Sequence, residues 1–295
     1  MSSHLLTQKE REDIFLKFIL PYASKGITPK ENPLGIILGG QPGAGKSNFI
    51  GHLKKEYPDM AVVNGDDLRR FHPQFGKLLK EDEKNATDLT QDDCNYWVEK
   101  LIEFFSQQKV DVVIEGTMRR SEIVLDTIRL LAERNYNMET RTITVPFEIS
   151  RASIFYRYEV QKSILGLSRY VRPESHEVAF VGIQNTLRAI FNSPDILRMQ
   201  LSSRRESEYA NKYDNTQTNR IWEKPENPAD IFHELVTERL VPSELRYVLN
   251  LYTETIRLAR ARNAEKSYLE SLVEFSCPVR EKLEASLELQ KKAIK

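Results

Sequence analysis

The chain has 295 residues, 40% of them hydrophobic and 29% charged, enough for a full core in one large domain or two small ones. Lys+Arg and Asp+Glu both number 43, so the formal net charge is zero, which argues against a general nucleic-acid binder. Cys94 and Cys277 lie too far apart for a disulfide framework, no apolar run reaches the length of a membrane span, and no basic-then-apolar leader opens the chain, so a cytoplasmic protein without a membrane role is expected.

In chain order, residues 7–22 read as a helix. Thr7 and Glu10 can form a capping box, Ile14, Phe15, Phe18 and Ile19 share one face, and Pro21 disturbs the last turn. A polar connector over 25–33 leads into a strand through Leu34, Ile36, Ile37 and Leu38. Gly40, Gln41, Pro42, Gly43, Ala44, Gly45, Lys46 and Ser47 follow and fit G-x-x-x-x-G-K-[ST] at every fixed position. A helix-compatible segment over 48–55 completes the strand–loop–helix context. In that context backbone N–H groups close around a polyphosphate and the helix N-terminus favours its charge. Lys46 reaches the terminal phosphates and the Ser47 hydroxyl ligates Mg2+. A bound nucleoside triphosphate is therefore expected.

A second strand over 60–63 ends at Asn64, Gly65, Asp66 and Asp67. Residues 90–107 read as a helix with Trp97, Leu101, Phe104 and Phe105 on its apolar side. A third strand over 111–114 runs into Glu115, Gly116 and Thr117, and a helix follows through Ile123, Leu125, Ile128 and Leu131. A fourth strand over 140–145, a helix over 149–165 and a fifth strand over 196–201 continue the alternation. Such alternation predicts a parallel sheet covered on both faces, with ligands at the carboxyl ends of its strands. Residues 202–219 are polar and read as a flexible loop, with helices over 231–240, 245–262 and 267 to the end. The Lys-, Arg- and Glu-rich tail from Arg257 reads as solvated helix faces.

A triphosphate site alone does not separate a switch, a motor and a kinase. Asn211, Lys212, Tyr213 and Asp214 spell the N-K-x-D of a switch GTPase but follow a polar stretch rather than a strand, so the match is read as chance. The third strand ends in Glu115 and runs into Gly116, Thr117, Met118, Arg119 and Arg120, a grouping of acid, hydroxyl and base suited to a polar, anionic substrate. Asp66 at a strand end can take the proton of an acceptor hydroxyl, or Asp66 or Asp67 can simply cap the next helix. Arg157 and Arg169 flank Gly166 and can neutralise transferring phosphate, or can form surface ion pairs. His72 and His176 lack metal spacing and read as structural, and Glu99 on its amphipathic helix reads as a solvated acid.

Together these residues resemble the zeta toxins, the kinases of epsilon/zeta toxin–antitoxin systems. The resemblance runs from the N-terminal helix to about Leu201. It rests on the Gly39-to-Ser47 loop, Gly65 and Asp66 before His72 and Pro73, the run Ile114, Glu115, Gly116, Thr117, Met118 and Arg119, and Arg157, Tyr158 and Glu159 before Arg169 and His176. It implies a P-loop kinase-like α/β fold of three layers, with a mostly parallel sheet flanked by helices and extra C-terminal helices. Taken with the composition beyond Leu201, which the resemblance does not cover, the expected division is a core over 1–201, a polar loop over 202–227 and a helical region over 228–295 packed on or extending the core. The implied activity is ATP- and Mg2+-dependent phosphorylation of a sugar hydroxyl of UDP-N-acetylglucosamine, which blocks cell-wall synthesis, with a protein antitoxin covering the nucleotide cleft. Carried over by position, Lys46 and Ser47 hold phosphates and Mg2+, Asp66 is the base, Arg157 and Arg169 clamp the transferring phosphate, and Glu99, Glu115, Thr117, Arg119 and Thr127 line the acceptor side. Arg169, Tyr170, Val171, Arg172 and Pro173 depart from the family's turn, which makes Arg172 a rival for the clamp. A kinase for another acceptor (a dinucleotide, an antibiotic or a polynucleotide end) and a nucleotide-binding regulator without transfer activity stay open as alternatives.

Overall fold

The computed structural model describes residues 5–205 and 208–293. Expectations that fall on residues 1–4, 206–207 and 294–295 lie outside the described residues. The N-terminal helix starts as α1 (Gln8–Ile14), with the Thr7–Glu10 capping box in place. It then widens into a π-helical turn (Phe15–Ile19) before a last turn over Leu20–Ala23. Pro21 has no N–H to close the ordinary helical bond, and the turn before it relaxes accordingly. The wider turn rotates Phe18 off the apolar face. Phe15 and Ile19 are buried, whereas Phe18 is 57% exposed, contrary to the face expected from regular helical spacing.

The sheet has seven strands among the described residues, in the order β2–β3–β1–β4–β5–β6–β7. Strands β1 (Leu34–Gly39), β2 (Ala61–Asn64), β3 (Val112–Glu115), β4 (Asn137–Thr144) and β5 (Arg198–Arg205) are parallel. β6 (Glu208–Thr218) and β7 (Ile221–Trp222) add antiparallel edges. The crossovers are α2 (Lys46–Glu56), α3 (Gln91–Gln108), α4 (Ser121–Ala132), and the pair α5 (Phe147–Leu165) and α6 (Pro173–Phe191). Three helices complete the chain: α7 (Pro228–Thr237), α8 (Pro242–Ala261) and α9 (Lys266–Ala293).

Period-two burial along the strands feeds two cores, one per face. Ile37, Val63 and Val112 pack with α3, α4, α6 and α7, among them Trp97, Ile128, Ile183 and Phe232. Ile36, Leu38 and Val113 pack with α2, α5, α8 and α9, among them Leu53, Phe155, Tyr252 and Leu272. The result is the mostly parallel three-layer fold with added C-terminal helices.

The expected polar loop over 202–227 is a correction. β5 runs on to Arg205, and β6 and β7 fill most of the stretch. Tyr213, Asn215 and Gln217 alternate into the interior. Their polar groups are satisfied there. Asn215 donates to the Lys224 carbonyl and accepts from the Lys224 N–H, and Gln217 donates to the Ser193 carbonyl. A strand whose inner face is amide rather than aliphatic reads as a loop by hydropathy, although it pairs with β5 over most of its length.

Candidate active site

β1, β3 and β2 lie side by side in register, with Leu38, Glu115 and Asn64 in one row across the sheet. Their carboxyl ends therefore open onto one place. Residues 40–47 leave β1 and enter α2 through Gly43 and Gly45, whose φ angles of 80° and 93° lie in the left-handed region. Gln41 is buried beneath this loop and donates to the Val145 carbonyl at 2.7 Å and to Ser150 Oγ at 3.4 Å. Ser150 in turn lies 2.8 Å from His176 Nε2, so α5 and α6 both support the loop. Burial pushes the His176 pKa down to about 4, helped by the nearby Arg151 and Lys46 charges. The imidazole is accordingly neutral near pH 7.

Lys46 folds back over the loop. Its Nζ donates to the Gly40 carbonyl at 2.7 Å and the Gln41 carbonyl at 3.3 Å, and lies 3.9 Å from Glu115 Oε1. Burial lowers its pKa, Glu115 and Asp66 oppose that, and Arg157 and Arg169 add to it.

Beyond β2 the chain makes a single helical turn, Gly65–Leu68. Its cap is neither aspartate. Asn64 Oδ1 accepts from the Asp66 N–H at 2.9 Å and the Asp67 N–H at 3.4 Å, while Asn64 Nδ2 donates to Glu115 Oε2. Both carboxylates are thereby released, and they part company. Asp67 pairs with Arg70 at the surface. Asp66 turns into the site, ion-paired with Arg169 and, at 3.4 Å, with Arg69. Burial alone raises its pKa, but Arg169, Arg69, Lys46 and Arg157 outweigh burial and hold it below the usual 3.8. Glu115 goes the other way: burial raises it, aided by Asp66 and Asp67 and opposed by Lys46 and Arg169.

Arg157 on α5 is half-buried and its pKa falls to about 10, first through desolvation and then through Arg169, so it stays charged at neutral pH. Arg172 does not compete for Asp66. It bonds Asn85 Oδ1 and lies 3.4 Å from Asp88 Oδ2. Lys46, Asp66, Glu115, Arg157 and Arg169 thus form one cluster. Thr117 and Arg119 sit on the loop leaving Glu115, with Met118 buried between them. That loop has no slack: a Cβ on Gly182 of α6 would lie 2.4 Å from the Arg119 carbonyl oxygen. The described interactions tie neither Glu99 nor Thr127 to the cluster. Glu99 is exposed beside Val98, which packs on Gly65, and the Thr127 hydroxyl donates to Ile123 within α4.

Four contributors escaped the sequence reading. Arg69 is buried three residues after Asp66 and anchored by Thr87, Thr90 and Gln91. Ser150 belongs to the Gln41 support. Arg204 and Tyr209 reach the loop from the β5–β6 hairpin. Only Arg69 left a local signal, its spacing from Asp66 on one helical turn. His72 is structural, as expected, with Nε2 3.0 Å from Asp93 Oδ2. The N-K-x-D letters lie in β6, where Asp214 is held by both ends of the Arg198 guanidinium, as a strand-pairing contact.

The family model described as zeta toxin matches residues 22–220. The chain belongs to the zeta toxin family. Among curated zeta toxins it is 31% identical over 137 residues to Toxin PezT of Streptococcus pneumoniae serotype 4, covering 46% of this chain and 54% of PezT. It is 25% identical over 231 residues to Toxin zeta of Streptococcus pyogenes, covering 76% and 79% of the two chains. The matched stretch thus spans just over half of PezT and about four-fifths of the second relative. A solved structure from the PezAT chromosomal toxin–antitoxin system of Streptococcus pneumoniae superposes with a TM-score of 0.73 at 24% identity, covering 86% of this chain and 99% of that one. A structure of AvrRxo1-ORF1:-ORF2 with ATP shares the fold at a TM-score of 0.56 and 14% identity, covering 91% and 90%. The stretch matched by the family model, residues 22–220, contains the P-loop, Asp66, Glu115, Arg157 and Arg169 and extends over β6.

Proposed function

We propose that this zeta toxin is an ATP-dependent kinase that phosphorylates a sugar hydroxyl of UDP-N-acetylglucosamine, or of a close UDP-sugar, and so blocks cell-wall synthesis. One observation carries the reading. Asp66 stands beside the P-loop with four cations around it, Arg169, Arg69, Lys46 and Arg157. One carboxylate does not balance four cations, even with Glu115 added. The missing anion is a polyphosphate, for which the P-loop and the N-terminus of α2 are built.

In this reading Asp66 accepts the proton of the acceptor hydroxyl. Its low pKa is no obstacle, because the hydroxyl oxygen becomes acidic only as its bond to phosphorus forms, and a loose transition state asks for positioning more than for a strong base. Arg169 leaves Asp66 for the incoming phosphate, which frees the carboxylate when substrate is present. Lys46 exchanges the loop carbonyls for phosphate oxygens, and Arg157 faces the charge spreading over the transferred group. Glu115, Thr117 and Arg119 orient the acceptor in this reading, and Glu99 and Thr127 are proposed as further acceptor-side residues.

The donor set fits Mg2+. Ser47 offers a hard oxygen at the start of α2, and no group of three His, Cys, Asp or Glu among the described residues could hold a metal unaided, as suits an ion that arrives with phosphates and keeps waters. Bound there, Mg2+ would supply charge neutralisation to the phosphates. A protein antitoxin is proposed as partner. The PezAT system named for a similar structure supports that class of partner.

Purified protein, Mg-ATP and UDP-N-acetylglucosamine followed by phosphorus NMR test the reading. A new sugar-phosphate signal that disappears in Asp66→Ala is expected, with loss of about a hundredfold or more in turnover for removal of a general base. Folded protein that binds ATP yet yields no such signal overturns the acceptor. Near wild-type turnover in Asp66→Ala overturns the base.

A further inference from the structure

The hairpin of β5 and β6 lies in the stretch that reads as a loop by hydropathy, yet it touches the P-loop directly. Arg204 and Tyr209 are cross-strand partners, Arg204 near the end of β5 and Tyr209 near the start of β6. Arg204 donates to the Gly43 carbonyl at 3.1 Å, and the Tyr209 hydroxyl donates to the Gly45 carbonyl at 2.8 Å. The fit is close: a Cβ on Gly45 would lie 2.5 Å from the Tyr209 hydroxyl and 3.0 Å from Arg204 Cδ. Tyr209 also packs edge-on against Phe49 and His52 of α2, with ring centroids 5.4 and 5.6 Å apart. The next residue, Arg205, grips Glu244 in the first turn of α8 and Glu238 at the C-terminal end of α7. The hairpin is therefore fastened to the P-loop at one residue and to the C-terminal helices at the next.

The peptide unit is planar and trans, so its C=O and N–H point in opposite directions. Arg204 holds the Gly43 carbonyl, and Tyr209 holds the Gly45 carbonyl together with the Asn48 and Phe49 N–H groups of α2, so the opposed Ala44 and Lys46 N–H groups are fixed with the loop. The Ala44 N–H donates within the loop itself, to the Gln41 carbonyl at 3.1 Å, a bond that a phosphate oxygen would replace. Loop amides are the groups that receive phosphate oxygens in a P-loop.

We infer that Arg204 and Tyr209 are positioning residues that hold the P-loop amides in phosphate-binding orientation, making the β5–β6 hairpin a brace for the donor nucleotide. This rests on the proposed ATP site. The brace acts on the loop and not on the reacting atoms, so it governs how tightly the donor is held, while Asp66, Arg157 and Arg169 govern transfer.

Titration calorimetry with a non-hydrolysable ATP analogue, alongside steady-state kinetics, tests it. Lys46→Ala serves as the control for the site itself. Tyr209→Phe removes one hydroxyl and no charge, and should weaken analogue binding about three- to tenfold, the worth of one oriented hydrogen bond. Arg204→Ala should weaken it about tenfold, with partial recovery in Arg204→Lys. KM for ATP should rise with the dissociation constant while kcat stays within about twofold, because uniform binding is lost and not transition-state binding. The double variant should fall short of the product of the single effects, since both residues hold one loop. Wild-type binding that is lost in Lys46→Ala but unchanged in Tyr209→Phe and Arg204→Ala overturns the brace. Equal losses in kcat and kcat/KM also overturn it. A wild-type protein that binds no analogue overturns the donor site on which the brace depends.

Discussion

The Asp66 carboxylate is not spent on capping its own helix, because Asn64 takes that role. With Asn64 Oδ1 on the Asp66 and Asp67 N–H groups, neither carboxylate is consumed by its own helix, and only Asp66 faces the cations. Side-chain identity at strand ends made this part of the site readable: few residue types can hold phosphate, take a proton or pair with an arginine, and they stood at the ends of predicted strands. His176 was readable only as a lone histidine, because its role depends on Ser150 and Gln41, remote in sequence. Its titration yields a prediction about stability. The folded pKa of about 4 lies below the ordinary 6.5, so from pH 6.5 down to 4 the unfolded chain binds a proton that the native state refuses. Stability should therefore fall through that window and level off below it. This group's share is on the order of 3 kcal/mol. His176→Gln keeps a polar atom near Ser150 but cannot titrate. Urea unfolding from pH 4 to 7 should show a flatter slope for the variant, and identical slopes would place the proton uptake elsewhere.

Among the elements, those with aliphatic periodicity were legible and the one with a polar inner face was not. β1 to β5 and α2 to α5 appear where apolar spacing puts them, within a few residues. α6 carries an equally plain series, with Ala179, Ile183, Leu187 and Ile190 buried on one side, and its register was open to the same reading. β6 offered no such signal, because Asn215 and Gln217 enter the core by hydrogen bonding. The π-helical turn at Phe15–Ile19 was beyond reach for another reason: Pro21 announces a disturbance but not which residues it rotates outward. α6 also sets the position of the loop that carries Thr117 and Arg119. Gly182 admits the Arg119 backbone so closely that an added Cβ would stand 2.4 to 2.9 Å from three of its backbone atoms. Those atoms cannot rotate away as a side-chain tip would. Gly182→Ala should therefore push the Thr117–Arg119 segment from its place, costing about 1–3 kcal/mol in stability as overpacking does. It should raise KM for the acceptor more than KM for ATP. Equal KM shifts for both substrates would detach this loop from acceptor binding.

At the scale of the whole molecule, the two faces of the sheet are closed by different parts of the chain. The first face is finished by α6 and α7, but the second depends on α8 and α9, which cover Ile36, Leu38 and Val113 together with α5. The C-terminal helices are thus part of the core that carries the P-loop strand, and their charged outer faces conceal that in composition. The clearest tie is polar. Glu159 of α5 is 1% exposed at its side chain and receives two hydrogen bonds of 2.8 Å from Arg262, just after α8. The Arg262 guanidinium also lies over Tyr158 and Tyr268, each ring centroid 5.7 Å away. Removing the arginine strands a buried carboxylate. Removing both charges does not, and a paired ion buried this well often adds little beyond what an apolar pair of similar volume supplies. Arg262→Ala should therefore destabilise the protein by on the order of 2–4 kcal/mol, somewhat below the range for fully buried pairs because the arginine is partly exposed. Arg262→Met combined with Glu159→Leu should recover most of that loss. Since α5 also carries Arg157, the single variant should lose kcat through a displaced Arg157, and the double variant should regain it together with its stability. Denaturant midpoints and turnover measured on the same preparations decide the point. If the double variant is as unstable as the single one, the pair holds α5 through its charges and not through relief of a stranded carboxylate.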